Sequence, residues 1–267
     1  MIGSSINLEI PGLFVTATDT EVGKTVVTCA IGWHLRRADG VDPPRRVGVC
    51  KPIATGCRRD REGLVSEDAE ALAHFCDCRL PLDVVNPVRY RKPVAPAIAA
   101  AMTGRRVDFD AIVASLARLE AECDALLIEG IGGLLTPIDH ADPEVTVLDL
   151  ACAIGYPVLV VTHAGLGTLN HTAMTIRLLR AAGCRIAGLV VNRYEPDTAG
   201  REGARRDLAM ATNRQWLELT TAVPVLATVP RRPAHHVAAH KARLDPEILD
   251  AVARCNWPKI LGHAKPV

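Results

Sequence analysis

The segment Thr18-Asp19-Thr20-Glu21-Val22-Gly23-Lys24-Thr25 ends in the Gly-Lys-Thr of a phosphate-binding loop. Gly23 lets the backbone approach a phosphate closely, and the N–H groups at the positive end of the following helix face its oxygens. Lys24 adds a full charge, and the Thr25 hydroxyl is placed to ligate Mg²⁺. The usual spacing asks for a second glycine at position 18, which here is threonine. The loop is therefore a deviant Walker A, with Thr18, Asp19, Thr20 and Glu21 carrying side chains into the site. Nucleotide binding is the first expectation.

More polar groups stand where apolar runs end. Lys51-Pro52-Ile53-Ala54-Thr55-Gly56 places a lysine before a loop kept open by proline and glycine. That lysine reads either as catalytic or as a solvated strand-end residue. Ala125-Leu126-Leu127-Ile128 ends in Glu129-Gly130-Ile131-Gly132-Gly133, a carboxylate where a Walker B metal ligand sits in nucleotide-binding α/β folds. Asp68, in Ser66-Glu67-Asp68, is a helix cap as readily as a ligand. The run Ala164 to His171 offers backbone donors for a carboxylate, or a tight strand-to-helix connection capped by Thr168 or Asn170. Asn192 closes another apolar run and is placed to read a base edge, whereas His171 reads as a helix-face residue and His235 and His236 as loop surface.

The elements that must position these groups are legible as alternating runs. Leu13 to Thr16, Arg46 to Val49, Ala125 to Ile128, Val158 to Thr162, Ile186 to Val191 and Val225 to Val229 read as strands. Helical patterns fall at Lys24 to Ala38, Asp68 to Phe75, Asp108 to Glu122, Asn170 to Ala182 and Arg201 to Thr220, with Asp42-Pro43-Pro44 and Asn86 to Pro96 as loops. This order predicts an α/β fold with a mostly parallel sheet flanked by helices, in the manner of P-loop NTPases. Ligands of such sheets bind at the carboxyl ends of the strands, where each polar cluster above lies. A chain of 267 residues, 49% hydrophobic and 3% aromatic, suits one domain with a Val, Ile, Leu and Ala core. Residues 1–10 read as an N-terminal extension. A net charge of +1 gives no sign of a general nucleic-acid or membrane binder. Nine cysteines, an odd number scattered in apolar and helical runs, fit reduced thiols in a cytoplasmic protein, and Cys76-Asp77-Cys78 lacks a partner cluster at zinc spacing. The first dozen residues carry no leader pattern, and no apolar run reaches membrane length.

Together these motifs resemble the dethiobiotin synthetase family. The resemblance runs from about Phe14 to Pro230 and rests on Thr18 to Thr25, Lys51 to Gly56, Glu67-Asp68-Ala69, Glu129 to Gly133, Gly167 to His171 and Val191-Asn192, in the family's order. It implies ATP-dependent carboxylation and ring closure of 7,8-diaminononanoate with CO2, giving dethiobiotin, ADP and phosphate through an N-carbamate and a carbamic-phosphoric anhydride. By the same resemblance Asp19, Thr20, Glu21, Val22, Gly23, Lys24 and Thr25 bind the nucleotide, Asn192 contacts adenine, and Thr25, Asp68 and Glu129 hold Mg²⁺. Lys24 and Lys51 act on carbamate and phosphate, Thr55 lines the diamine site, and the enzyme is a homodimer. Gly167, Thr168, Leu169 and Asn170 then hold the substrate carboxylate from the neighbouring subunit.

The sequence departs from the family pattern in three places. Ala17 stands where the family usually has the first loop glycine, Ala97 replaces a histidine common after Pro96, and the tail beyond Pro230 does not align, so residues 234–267 are unassigned. The alternative reading is a switch ATPase of the partition or positioning type, with a non-catalytic nucleotide-binding regulator behind it. Switch ATPases usually carry a lysine early in the loop, where this chain has Thr18. Amidotransferring synthetases of cobalamin synthesis need a glutaminase domain for which the chain after residue 230 is too short.

Overall fold

Apolar β-branched segments buried on both faces form the centre of the molecule. The computed structural model describes residues 6–37, 44–61, 63–195, 208–232 and 244–265. Six strands, β1 (Gly12–Ala17), β2 (Val47–Cys50), β7 (Ala125–Glu129), β8 (Val158–His163), β9 (Ile186–Tyr194) and β10 (Val225–Pro230), make one sheet in the order β10-β9-β8-β1-β7-β2. Every neighbouring pair is parallel. All six expected strands are therefore present, and the sheet is the parallel one that alternating strands and helices require.

Side chains alternate across this sheet and divide the core in two. Leu13, Val15, Leu127, Leu159 and Val161 face α1 (Lys24–Leu35), α2 (Glu67–Cys76) and α9 (Pro246–Ala253). Phe14, Leu126, Ile128, Val158 and Val160 face α5 (Phe109–Glu122), α6 (Val147–Ile154), α7 (Thr168–Ala181) and α8 (Leu208–Thr221). Among the described residues no helix is long and apolar enough to cross a membrane.

Several elements correct the sequence reading. The stretch Asn86 to Pro96 holds β6 (Val88–Arg89), which pairs with β3 (Ile53–Ala54), and Pro96 opens α4 (Pro96–Thr103) instead of ending a loop. Proline suits the first helical turn, where its missing N–H costs nothing. Helix α6 is a short apolar run that buries Val147, Leu150, Ala151 and Ile154, started by a reciprocal Thr146 and Asp149 capping box. A hairpin of β4 (Arg58–Asp60) and β5 (Gly63–Val65) leads to α2, and α3 (Leu82–Val85) follows it. Helix α2 starts at Glu67 and α7 at Thr168, each ahead of the expected residue, while α1 ends at Leu35. The expected helix at Arg201 to Thr220 is described from Leu208; residues 201–207, Ala38, His235 and His236 lie outside the described residues.

Both ends of the described chain are tied to the sheet. Ile6 and Leu8 are buried, with Ile6 N–H donating to the Ala153 carbonyl at 3.0 Å. In the tail, α9 and α10 (Trp257–Ile260) bury Ile248, Val252 and Trp257, and Gly262 exchanges two backbone hydrogen bonds with Gly12.

The approach of α1 to α2 is what brings Thr25 and Asp68 to one place. It depends on Gly32: a Cβ there would lie 2.0 Å from Cys76 Sγ. Gly32→Ala should cost about 1–2 kcal/mol in urea denaturation, because overpacking outweighs alanine's better helix propensity. Adding Cys76→Ala to the same chain should recover most of that loss. Equal stability of wild type and Gly32→Ala would mean that the helices are not in such close register.

Candidate active site

The phosphate loop follows β1 at the carboxyl edge of the sheet, between the ends of β7 and β8. Gly23 has φ +103°, and a Cβ on it would meet Asn192 Nδ2 at 2.0 Å, so only glycine fits. Lys24 folds back over the loop, with Nζ donating to the carbonyls of Asp19 at 3.1 Å and Gly132 at 3.0 Å. Burial, with Lys51 adding repulsion, lowers its pKa to about 8. Ala17 is still inside β1 and does not take a positive φ, so the alanine is accommodated without strain.

A buried ion cluster lies beside the loop. Lys51 Nζ stands 2.6 Å from Glu129 Oε1, 2.9 Å from Asp68 Oδ2 and 3.4 Å from the Gly130 carbonyl, which uses all three ammonium protons. Burial alone would depress the Lys51 pKa, but the carboxylates of Asp68 and Glu129 outweigh it and hold the ammonium charged. Lys51 in turn lowers the pKa of Asp68, whose carboxylate opens half-exposed onto the cavity. Thr25 Oγ1 donates to Glu129 Oε1 at 2.9 Å. The alternatives left open for Lys51 narrow accordingly: it is 2% exposed and not a solvated surface lysine. Capping of α2 falls to Ser66, whose hydroxyl accepts from Ala69 N–H, and this leaves Asp68 free for the cavity.

These groups open on a cavity of about 1030 Å³ whose lining includes Lys24, Thr25, Lys51, Thr55, Asp68 and Gly132. Opposite the loop its wall is Pro93 to Pro96; Ala97, at the start of α4, is buried behind that wall. The donors expected for Mg²⁺ fit that ion chemically: Thr25, Asp68 and Glu129 offer hard oxygens, and Glu129 Oε2 is buried without a hydrogen-bond partner. Among the described residues no group of three or more His, Cys, Asp or Glu side chains is placed to hold a metal ion.

Other expected site residues lie apart from this cavity. Asn192 is buried at the end of β9, its Nδ2 donating to the Val22 carbonyl at 2.8 Å and its Oδ1 unpaired. Gly167 and Asn170 are exposed after β8, while the Thr168 hydroxyl turns inward to Thr162 Oγ1 at 2.7 Å. None of Gly167, Thr168, Leu169 and Asn170 lines the cavity of its own chain. Sequence reasoning missed Arg193 and Arg231, which do line it. Arg193 donates to the Glu21 carbonyl at 2.7 Å, and its place next to Asn192 at a strand end was the available signal. It also missed Asn86, whose amide reaches the Lys51 carbonyl at 2.5 Å and fixes the turn after β2. No spacing in the sequence points to that contact.

Comparison with known proteins agrees with this geometry. A family described as an AAA domain matches residues 11–237. An ATP-dependent dethiobiotin synthetase BioD from Anaeromyxobacter sp. (strain Fw109-5) is 42% identical over 211 residues, covering 77% of this chain and 87% of the relative. The chain belongs to the dethiobiotin synthetase family. Another member, from Saccharopolyspora erythraea, is 38% identical over 251 residues, 94% of this chain and 96% of that one. Among solved structures, the MinC:MinD cell division protein complex of Aquifex aeolicus has a chain that superposes with a TM-score of 0.56 at 13% identity, covering 96% of this chain and 98% of the other. That likeness shows the P-loop NTPase fold. The family is one of ATP-dependent enzymes.

Removing Lys51 strands the charge of Glu129, which is 0% exposed. Lys51→Met should therefore destabilise the fold by about 3–5 kcal/mol, and Lys51→Met/Glu129→Leu should recover most of it, both read by urea denaturation. If the double variant is no more stable than the single one, the pair is not the buried unit described here.

Proposed function

We propose that the chain is an ATP-dependent dethiobiotin synthetase, a cyclo-ligase that joins 7,8-diaminononanoate and CO2 at the expense of ATP. The observation that carries this reading is the convergence of two lysines, Lys24 from the start of α1 and Lys51 from the end of β2, on one cavity. A nucleotide switch needs the first. A second buried ammonium beside it suits another anion.

In this reading one amine of the diamine attacks CO2, a C–N bond forms, and the amine loses a proton to give a carbamate. Its oxygen then attacks the γ-phosphorus of ATP, a P–O bond forms, the β,γ-bridging P–O bond breaks and ADP leaves. Both partners are anionic. Lys24 over the phosphates and Lys51 over the carbamate oppose their repulsion as fixed charges in a water-poor site, an effect worth several kcal/mol in comparable sites. The second amine, held within reach, attacks the carbonyl of the carbamic-phosphoric anhydride, closes the urea and expels phosphate, a step helped by proximity. Mg²⁺, held by Thr25, Asp68 and Glu129, supplies charge neutralisation for the phosphates. Lys51 then exchanges part of its contact with the two carboxylates for contact with substrate.

Asp19, Thr20, Glu21, Val22, Gly23 and Thr25 serve the nucleotide with Lys24, Asn192 contacts its adenine, and Thr55 borders the diamine. Gly167, Thr168, Leu169 and Asn170 serve the substrate carboxylate of a partner subunit in a homodimer, a reading supported by the exposure of Gly167 and Asn170 and by the distance of the whole segment from its own cavity. We place the enzyme in the cytoplasm, in keeping with its nine free thiols. Residues 1–267 form one domain in this account, with the tail packing against α1 and β10 in place of a separate unit.

Lys51→Gln separates the synthetase from a switch ATPase. Affinity for a non-hydrolysable ATP analogue, read by isothermal titration, should stay within a few-fold of wild type. ADP formation with diamine and bicarbonate should fall by a factor on the order of 100, the loss seen when one preorganised donor is removed. Collapse of nucleotide affinity with unchanged turnover at saturating ATP would make Lys51 an accessory of the phosphate loop and defeat the assignment.

A further inference from the structure

On the edge of the sheet opposite the cavity, two thiols meet. Cys152, near the end of α6, and Cys184, in the turn before β9, have their sulfurs 3.3 Å apart although they are 32 residues apart in sequence. Among the described residues this is the one thiol–thiol hydrogen bond. Cys152 is half-buried, and Cys184 lines a second cavity of about 190 Å³ with Gly155, Tyr156, Arg185 and Lys265. Small reagents therefore have a route to the pair. Cys184 is itself buried, as are Cys29, Cys50, Cys57 and Cys76, whose thiols burial raises toward inertness; what sets Cys152 and Cys184 apart is the second sulfur in contact, reached from the half-buried Cys152.

We propose that Cys152 and Cys184 form a hydroperoxide-sensitive dithiol, oxidised reversibly to a disulfide that staples α6 to the α7–β9 turn and leaves the active site unchanged. The Cys152 sulfur attacks a peroxide oxygen: an S–O bond forms, the O–O bond breaks, and the departing oxygen takes a proton and leaves as water or an alcohol. Cys184 sulfur then attacks the sulfenic sulfur, an S–S bond forms, and the S–O bond breaks, with hydroxide leaving as water with the Cys184 proton. Two thiols are oxidised and one hydroperoxide is reduced. The order of attack follows from access: Cys152 is half-buried whereas Cys184 is buried, so the peroxide meets the Cys152 sulfur first and Cys184, 3.3 Å away, resolves it. A thiol reductant reverses the step by exchange through a mixed disulfide.

The consequence is mechanical. Closing a loop of this length removes conformations of the unfolded chain, so the oxidised protein should melt on the order of 5–10 °C higher. Catalysis should not change, because both sulfurs lie at the amino ends of β8 and β9, across the sheet from Lys24 and Lys51.

The test treats the full chain with one equivalent of hydrogen peroxide, followed by intact mass, non-reducing peptide mapping, melting and turnover. The expected result is loss of two hydrogens, a peptide linking Cys152 to Cys184, a higher melting temperature, turnover within two-fold of the untreated enzyme, and reversal by dithiothreitol. Cys184→Ser should leave a sulfenic acid on Cys152 that a dimedone probe labels. Oxygen addition without the link, a link between other cysteines, a link that fails to raise the melting temperature, or no reaction at all would each overturn the proposal. Mapping on the unmutated protein keeps the test independent of how well a variant folds.

Discussion

One ammonium organises the site. Lys51 sits within 3 Å of two carboxylates, Glu129 and Asp68, that come from different elements and would otherwise repel each other. A fully buried Glu129 is tolerable only because that charge and the Thr25 hydroxyl reach the same oxygen. The arrangement makes demands on the whole fold. Parallel pairing of β2 with β7, with Cys50 opposite Ile128, brings Lys51 and Glu129 out side by side at the carboxyl edge. Pairing of β7 with β1, with Glu129 opposite Val15, sets that carboxylate beside the phosphate loop. The close fit of α1 on α2 supplies the third partner. A shift by one residue in any of these ladders would turn a charged side chain into the core.

The cluster gives the two lysines different surroundings, which is the basis for the separate roles proposed for them. Lys24 is tied only to carbonyl oxygens and has its pKa lowered, so an incoming phosphate gives it a stronger partner than it has. Lys51 is held charged by carboxylates, and only an anion that approaches together with a cation competes for it without cost. On the far edge of the sheet, the Cys152 and Cys184 pair lies where bond formation can tighten the fold without touching this balance.

Much of this arrangement was legible because chemistry and periodicity coincide. Central strands are apolar runs that end at polar residues, so Lys51 and Glu129 announce both a strand end and the charged cluster found there, whereas Asn192 marks a strand end but packs on the Val22 carbonyl away from the cavity. What stayed hidden depends on contacts distant in sequence or on short runs. Helix α6 is only 8 residues long and nearly all apolar, so its buried stripe of Val147, Leu150, Ala151 and Ile154 stands out little, and α4 begins at a proline that reads equally as a loop residue. Asn86 and Arg193 matter through hydrogen bonds to backbone carbonyls of Lys51 and Glu21, which no motif records. Asp68 was ambiguous between cap and ligand until Ser66 took the capping role.

Whether the second buried lysine serves a carbamate is read from ADP release by the wild-type enzyme. Rates are compared with ATP and Mg²⁺ alone, with diaminononanoate or bicarbonate added singly, and with both present. The account predicts strong stimulation only when both are present, with one dethiobiotin formed for each ADP. Equal rates under all four conditions, or ADP release without dethiobiotin, would contradict it.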